Sequence, residues 1–545
     1  MKKKILLSLS AIVLSFTVFA QTIDTNSAST PFSHYWSVGV GAGRVNEGLR
    51  AGWNEHLAVV KEHCGFQYVR MHGLFHDDMY IYHLKKDGTV VYNWQYVDDV
   101  FDRMLDLGLK PFVELSFFPK QIAAPDSKVQ FADGWRANVS VDQNNFGKWH
   151  DLIYALTRHL IDRYGIEEVL TWYFEVWNEP NLTGMGAFFH GTRSDYFRLY
   201  KEAANAIKSI DSRLRVGGPA TSNFVADDRH KGEIMDHKKS VFYSQDVINT
   251  KKWEGVWIED FLRYCEKEKL PVDFLSTHPY PTDYALDPET GRSKDAIRYI
   301  HSLSDDINWV KTALANSKYP NAEIHLTEWS TSPNSRDRMH DLLPPAAYIL
   351  QTNLECVGLA NSLMYWTFTD VFEEKGGGES IFHGGFGMIN FQGIVKPSFH
   401  AYRMLNQLGD EMLWNTSPIC VTKNSSSGKI TALTYNYPEE FMEAVPSAKN
   451  ADTYMNASSK NVTFELKGLA PGTVFEVETL DEDHGNAYKS YQEMGAPHSP
   501  TRQEINYLKQ EGWGVKREML RADHNGILKF DRQLSPWTCI LIKEL

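Results

Sequence analysis

Apolar and polar positions along this chain follow two periods in alternation. Between residues 35 and 405, short runs rich in β-branched and aromatic residues recur: Tyr35–Gly41, Phe66–Gly73, Leu109–Ser116, Thr171–Asn178, Arg215–Ala220, Phe274–Tyr280, Glu323–Trp329 and Ser362–Asp370. Between them lie segments with apolar residues at helical spacing, such as Phe146–Tyr164, Ser194–Ile210, Trp257–Lys269 and Asp295–Ala315. Strand alternating with helix predicts parallel strands joined by crossover helices, and eight such units predict an α/β fold, a (β/α)8 TIM barrel. The rival doubly wound sheet needs a Gly-rich phosphate turn after an early strand, and none is present.

Long connections follow the third, fifth, sixth and eighth runs: residues 117–145, 221–254, 281–294 and 371–396. All fall at the expected C-terminal mouth, where loops carry function and build walls. After about residue 410 the pattern changes to half-buried strands at Ile430–Tyr437, Val462–Leu466, Val474–Leu480, Ile527–Phe530 and Trp537–Lys543, with Asn/Ser/Gly turns between them. The expected organisation is a signal peptide over 1–20, a catalytic barrel over 21–409 and a β-sandwich-like accessory domain over 410–545. A shielding role for that last domain is favoured over independent sugar binding, since Trp537 alone makes no aromatic platform.

Composition narrows the class. The chain is 42% hydrophobic and 23% charged, as ordinary globular proteins are. Its formal charge of −13 repels phosphate backbones, so nucleic acid is not an expected partner. Met1-Lys2-Lys3-Lys4 followed by the apolar stretch Ile5 to Ala20 reads as a secretory signal cleaved after Ala20, so the protein is expected to be secreted or periplasmic, with no membrane insertion after cleavage. Five single cysteines have no metal spacing and are expected to be buried thiols, with a Cys420–Cys539 bridge left open.

The strongest local motif is Trp172-Tyr173-Phe174-Glu175-Val176-Trp177-Asn178-Glu179-Pro180, ending the fourth strand. Pro180 has no amide hydrogen and stops the strand, leaving the Glu179 carboxyl at the barrel mouth. A second strand-end carboxylate, Glu328, closes the seventh strand in Leu326-Thr327-Glu328-Trp329-Ser330. Glycoside cleavage needs such a pair, an acid for the leaving oxygen and a carboxylate across the sugar, with the acid's pKa raised by apolar neighbours such as Trp177. The plain alternatives are a strand-end Glu that merely caps the next helix for Glu179 and a lone ion-pair partner for Glu328.

These residues resemble the clan A glycoside hydrolases, and within that clan family 39, best known for β-xylosidases and α-L-iduronidases. Val69-Arg70-Met71-His72-Gly73, Thr277-His278-Pro279-Tyr280, Tyr365 to Glu374 and His383-Gly384-Gly385-Phe386-Gly387 extend the likeness over essentially the whole mature chain. The resemblance implies a retaining double displacement, with Glu179 as acid and then base and Glu328 as nucleophile. It also implies that His72, Asn178, His278 and Tyr280 line the sugar subsite. Asn178 can bond a sugar 2-hydroxyl, and His278 and Tyr280 alternate onto one face of the sixth strand. Trp366 offers a platform for the ring, and Glu373, with Glu374 as the alternative, can accept from sugar hydroxyls. Arg70 could simply pair with a barrel carboxylate.

The expected activity is release of terminal β-D-xylose from xylo-oligosaccharides or related plant polysaccharide, so the expected partner is an oligosaccharide or polysaccharide. The alternatives are the same machinery on another sugar (α-L-arabinosidase, β-glucosidase, β-galactosidase or uronidase) and a non-catalytic carbohydrate-binding protein. The chemistry calls for no cofactor and no metal. Sugar, linkage, exo or endo action and oligomeric state stay open.

Overall fold

Eight parallel strands close into one barrel in sequence order, the last pairing with the first. They are β1 (Gly39–Arg44), β2 (Tyr68–His72), β3 (Lys110–Leu115), β4 (Tyr173–Val176), β5 (Arg215–Ser222), β6 (Phe274–His278), β7 (Glu323–Trp329) and β8 (Ser362–Tyr365). Each is followed by a helix: α1 (Ala51–Cys64), α2 (Gln95–Asp106), α3 (Phe146–Tyr164), α4 (Arg193–Ile210), α5 (Ile258–Glu268), α6 (Ser302–Ala315), α7 (Pro344–Glu355) and α8 (Pro397–Asn406). The computed structural model describes residues 21–125, 128–132, 135–183, 188–286, 293–441 and 451–545, and the expected signal segment lies outside them.

Several expected boundaries move, among them the end of the eighth strand, at Tyr365 rather than Asp370. Tyr35–Ser37 is a 3-10 turn, so the first strand begins at Gly39. The helix expected from Asp295 begins at Ser302, because Ser293–Ile297 pairs with Thr282–Leu286 as a hairpin in the loop after β6.

Strand alternation sorts the barrel interior into layers. Phe112, Tyr173, Phe274 and Met364 form an aromatic and apolar floor. One step toward the mouth the inward positions become polar, with Arg70, Glu114, Glu175 and Ser276 all buried. The floor seals the barrel from below, and the polar layer supports the mouth. Strand β1 faces inward with glycine because its neighbours need the space. A Cβ on Gly41 would lie 2.4 Å from the Trp366 ring, and one on Gly43 would lie 2.7 Å from the Phe372 ring.

The C-terminal region adds two further sheets. The strands are β9 (Glu411–Thr416), β10 (Ile419–Lys423), β11 (Ile430–Tyr435), β12 (Lys460–Lys467), β13 (Val474–Leu480), β14 (Lys516–Arg521), β15 (Leu528–Leu534) and β16 (Cys539–Glu544). One sheet runs in the order β9-β10-β11-β16-β13-β14, with Thr30–Pro31 on its outer edge beside β9, and the other holds β12 and β15. Gln21–Asp24 pairs parallel with β12, so the start of the described chain joins this region rather than the barrel. Val421, Ala432, Phe464, Val477, Phe530 and Ile542 share one core between the sheets.

Two helices in this region, α9 (Ala487–Glu493) and α10 (Arg502–Trp513), were not expected from the sequence. α10 buries only Leu508 and Gly512, too little for a clear apolar stripe. Together they pack Ala487, Tyr491 and Leu508 against Ile381, Phe382 and Ile394 of the loop after β8. All five cysteines are free and buried, and Cys420 and Cys539 are not bridged.

Candidate active site

The site is built on Arg70. Residues Tyr68, Arg70 and His72 alternate inward along β2, which places a guanidinium in the barrel with none of its side chain exposed. Its Nε donates to Glu175 Oε2 at 2.5 Å, its Nη1 to Glu328 Oε1 at 2.7 Å and its Nη2 to Asn178 Oδ1 at 2.9 Å. Nη2 also stands 2.9 Å from Glu114 Oε2. One planar fork thus holds carboxylates from β3, β4 and β7 together. Burial works against the guanidinium's charge, but Glu114, Glu175 and Glu328 outweigh it and hold Arg70 above its ordinary range.

Glu179 and Glu328 reach the mouth through local irregularities of their strands. After β4, Trp177 and Glu179 have φ of 71° and 45°, the left-handed region that non-glycine residues avoid. Trp177 Nε1 donates to Phe188 O at 2.9 Å and Glu179 N to Ala220 O at 2.8 Å. Asn181 exchanges two bonds with the backbone of Ser222. These anchors hold the turn and send Asn178 and Glu179, consecutive residues, both into the site. On β7 the register with β8 shifts between Leu326 and Trp329, which brings consecutive Thr327 and Glu328 both to bear on the barrel interior.

One carboxylate oxygen of Glu179, one of Glu328 and one ring nitrogen of His278 all lie within 4.8 Å of one another. His278 Nδ1 is 3.0 Å from Glu179 Oε1 and 3.7 Å from Glu328 Oε2. Tyr280 OH donates to Glu328 Oε2 at 3.0 Å. Glu179 and Glu328 are buried, 6% and 4% exposed as residues. One oxygen of each carboxyl comes within 4.8 Å of the other, close enough for both to reach a single glycosidic bond.

The two carboxyls differ in their surroundings. Burial first, then the nearby Glu328, push Glu179 well above the ordinary carboxylate range. Burial raises Glu328 as well, but Arg70 and His72 oppose it. These surroundings favour the proton on Glu179 over Glu328, and Glu328 accepts from Arg70 and Tyr280. His72 is held above its ordinary value, since Glu114 outweighs the effect of burial. Burial and the nearby Arg70 and His72 push His278 well below its ordinary value, so it is neutral.

Asn178 is wholly buried, and with Oδ1 taken by Arg70 its Nδ2 has no partner among the described residues. An unpaired buried donor beside two carboxylates suits a ligand oxygen. Trp366, 2% exposed, packs its ring 4.6 Å from His72 and edge-on to Phe372. Beside His72 a small cavity opens, lined by Gly43, Arg44, Phe117, Phe188, Phe372 and Glu374.

The structure thus gathers Glu179, Glu328, His72, Asn178, His278, Tyr280 and Trp366 into one site. Glu373 stands apart from this group. Its carboxylate pairs with Arg44 Nη2 at 2.7 Å and with Arg50, so it is already engaged, and the neighbouring Glu374 lines the cavity instead. Sequence reading missed Glu114, Glu175 and Thr327. A carboxylate inside an apolar strand, as in Phe112-Val113-Glu114-Leu115, was the available signal, because such a charge must find an internal cation. Glu179, His278 and Glu328 also have the donor types of a metal site. Arg70, bonded to Glu328 at 2.7 Å, opposes a second cation there.

A match to Glycosyl hydrolases family 39 spans residues 20–243 and 250–522. A β-xylosidase of Geobacillus stearothermophilus is 34% identical over 518 residues, 94% of this chain and 93% of its own. A β-xylosidase of Caldicellulosiruptor saccharolyticus is 33% identical over 531 residues, 96% of this chain and 97% of its own. The crystal structure of a monomeric β-xylosidase from Caulobacter crescentus CB15 superposes with a TM-score of 0.80 at 29% identity, covering 96% of this chain and 98% of the other.

Proposed function

The chain belongs to glycosyl hydrolases family 39 and is a glycosidase, and from that premise we propose that it is a retaining β-xylosidase removing terminal xylose from oligosaccharides. The observation that carries the mechanism is the approach of Glu179, Glu328 and His278 within 4.8 Å. In this reading Glu328 Oε2 or Oε1 attacks the anomeric carbon while Glu179 gives its proton to the departing glycosidic oxygen. Water then enters, Glu179 takes its proton, and the bond from Glu328 to the sugar breaks with a second inversion. Arg70 and Tyr280 fix the nucleophile's orientation by gripping one oxygen each. Asn178 Nδ2 donates to the sugar 2-hydroxyl, a contact that strengthens as the oxocarbenium character grows.

Xylose as the sugar is supported by two relatives named β-xylosidases that align over nearly the whole chain. Terminal cleavage is supported by the cavity beside His72, which the loops after β1, β3, β4 and β8 wall in. The N-terminal signal would deliver the enzyme outside the cytoplasm, where plant polysaccharide is met. The test is hydrolysis of an aryl β-xyloside followed by proton NMR. Release of β-xylose first, mutarotating later to α, is expected. Release of α-xylose first would overturn retention, and faster turnover of an aryl arabinoside, glucoside or galactoside would overturn the sugar.

A further inference from the structure

His278 lies between the acid and a second set of partners that the mechanism above leaves unused. Its Nδ1 faces Glu179 Oε1 at 3.0 Å, and its Nε2 faces Thr327 Oγ1 at 3.0 Å. Thr327 Oγ1 in turn donates to Glu175 Oε1 at 2.7 Å. The other oxygen of Glu175 accepts from Arg70 Nε at 2.5 Å. All of these side chains are buried.

A hydroxyl has one hydrogen to give. Glu175 is ion-paired with Arg70 and can only accept, so the hydrogen of Thr327 points to Glu175. Thr327 Oγ1 then has only lone pairs for His278, and Nε2 must carry the ring proton to bond it. In a neutral imidazole that leaves Nδ1 bare. A bare nitrogen 3.0 Å from Glu179 Oε1 makes a hydrogen bond only when that oxygen bears a proton.

We propose that Glu175 and Thr327 are positioning residues that lock His278 in its Nε2-protonated tautomer, so that Nδ1 accepts from Glu179 and holds that carboxyl in its acid form in the free enzyme. The relay runs from β4 through β7 to β6 and back to the turn after β4. It rests on the reading of Glu179 as the acid. The proton itself travels no further than in ordinary retaining hydrolysis: it leaves Glu179 for the glycosidic oxygen as that C–O bond breaks, and water returns one. When Glu179 is ionised between the two steps, the lone pair on Nδ1 faces a carboxylate oxygen, which favours the return of the proton. The charged and titratable groups that face Glu179 are Glu328 on β7, Glu374 after β8, Arg70 on β2, His278 on β6 and Tyr280 just after it, with Ser222 on β5 as a hydroxyl partner. Of these only His278 offers its contact a choice of tautomer.

Thr327→Val keeps the shape and removes the hydroxyl, so the ring is free to move its proton to Nδ1 and donate to a Glu179 carboxylate. The basic limb of kcat/KM against pH, which reports the free enzyme, is then expected to move to lower pH by about one unit or more. Thr327→Ser restores the hydroxyl and should return the limb to its wild-type position. A fall in rate at every pH with the limb unmoved in Thr327→Val would mean that Thr327 is merely structural and would overturn the proposal. Nitrogen-15 NMR of the wild-type enzyme, with His278 assigned by its loss in His278→Gln, decides the tautomer even if the valine variant does not fold. A signal with Nε2 protonated supports the relay, and one with Nδ1 protonated sinks it. Failure of the underlying reading shows separately, as a Glu179→Gln variant that keeps wild-type rates.

Discussion

Arg70 Nη1 and Glu328 Oε1 lie 2.7 Å apart, the arginine side chain fully buried and the glutamate nearly so. That bond ties the nucleophile proposed here to a cation that also grips Glu114 and Glu175. The arrangement gives two carboxyls of similar burial different affinities for a proton. Glu328 has Arg70 and Tyr280 as donors, whereas Glu179 has a neutral imidazole at 3.0 Å and a like-charged neighbour.

Removal of the nucleophile should abolish turnover. Glu328→Gln is expected to lower kcat by about 10⁴-fold or more, because the covalent step has no substitute. A 2-fluoro-substituted aryl xyloside should label the wild-type enzyme, and peptide mass spectrometry should find the sugar on Glu328. A label on another carboxylate would refute the assignment.

Truncation at Arg70 should cost stability as well as rate. Arg70→Met leaves three buried carboxylates without their cation, and a loss of about 3–5 kcal/mol is expected. Denaturant unfolding at neutral pH checks this. A variant as stable as wild type would show that other groups neutralise Glu114 and Glu175.

The pH dependence of stability carries a sign. Glu179 is held well above its ordinary 4.5 in the folded protein, chiefly by burial. Above pH 4.5 the unfolded chain releases this proton while the folded protein keeps it, so stability contributed by the group falls as pH rises from 4.5 toward the folded value. Glu179→Gln removes that loss. Its melting temperature should exceed wild type by about 2 °C or more at pH 7, with the gain shrinking to nothing at pH 4. A difference that is the same at both pH values would contradict this origin.

The unpaired Nδ2 of Asn178 should matter only to a sugar with a 2-hydroxyl. Asn178→Ala is expected to lower kcat/KM by about 10²-fold or more on an aryl β-xyloside. On the 2-deoxy analogue the same substitution should cost much less. Equal losses on both substrates would place Asn178 outside the 2-hydroxyl contact.

Glu373 and Glu374 should separate cleanly. Glu374 lines the cavity, so Glu374→Gln is expected to reduce kcat/KM by about 10²-fold, since a charge-assisted bond to a hydroxyl is worth about 1.5–3 kcal/mol. Glu373→Gln, whose carboxylate is engaged by Arg44 and Arg50, should reduce it less than about tenfold, as partly exposed ion pairs do. Steady-state kinetics on one aryl xyloside ranks the two, and the reverse ranking would restore Glu373 to the sugar.

Much of this protein is written locally. The eight barrel strands were legible because a parallel strand covered by helices must be apolar and short, and Asn178-Glu179-Pro180 ends β4 in a way no core strand does. The order of motifs gave the family, and with it seven of the residues that gather at the site. Sequence could not see the union of Arg70 with Glu114, Glu175 and Glu328, whose partners lie 44, 105 and 258 positions away. It could not separate Glu373 from Glu374 either, because adjacent residues in an irregular loop have no period to say which one turns inward. The bulge on β7, the left-handed turn at Trp177 and Glu179, and the brace of α9 and α10 against the loop after β8 were likewise decided only in three dimensions. Periodicity reports which face of a strand is buried. Which charge meets which, and therefore which carboxyl keeps its proton, depends on distances that exist only once the barrel has closed.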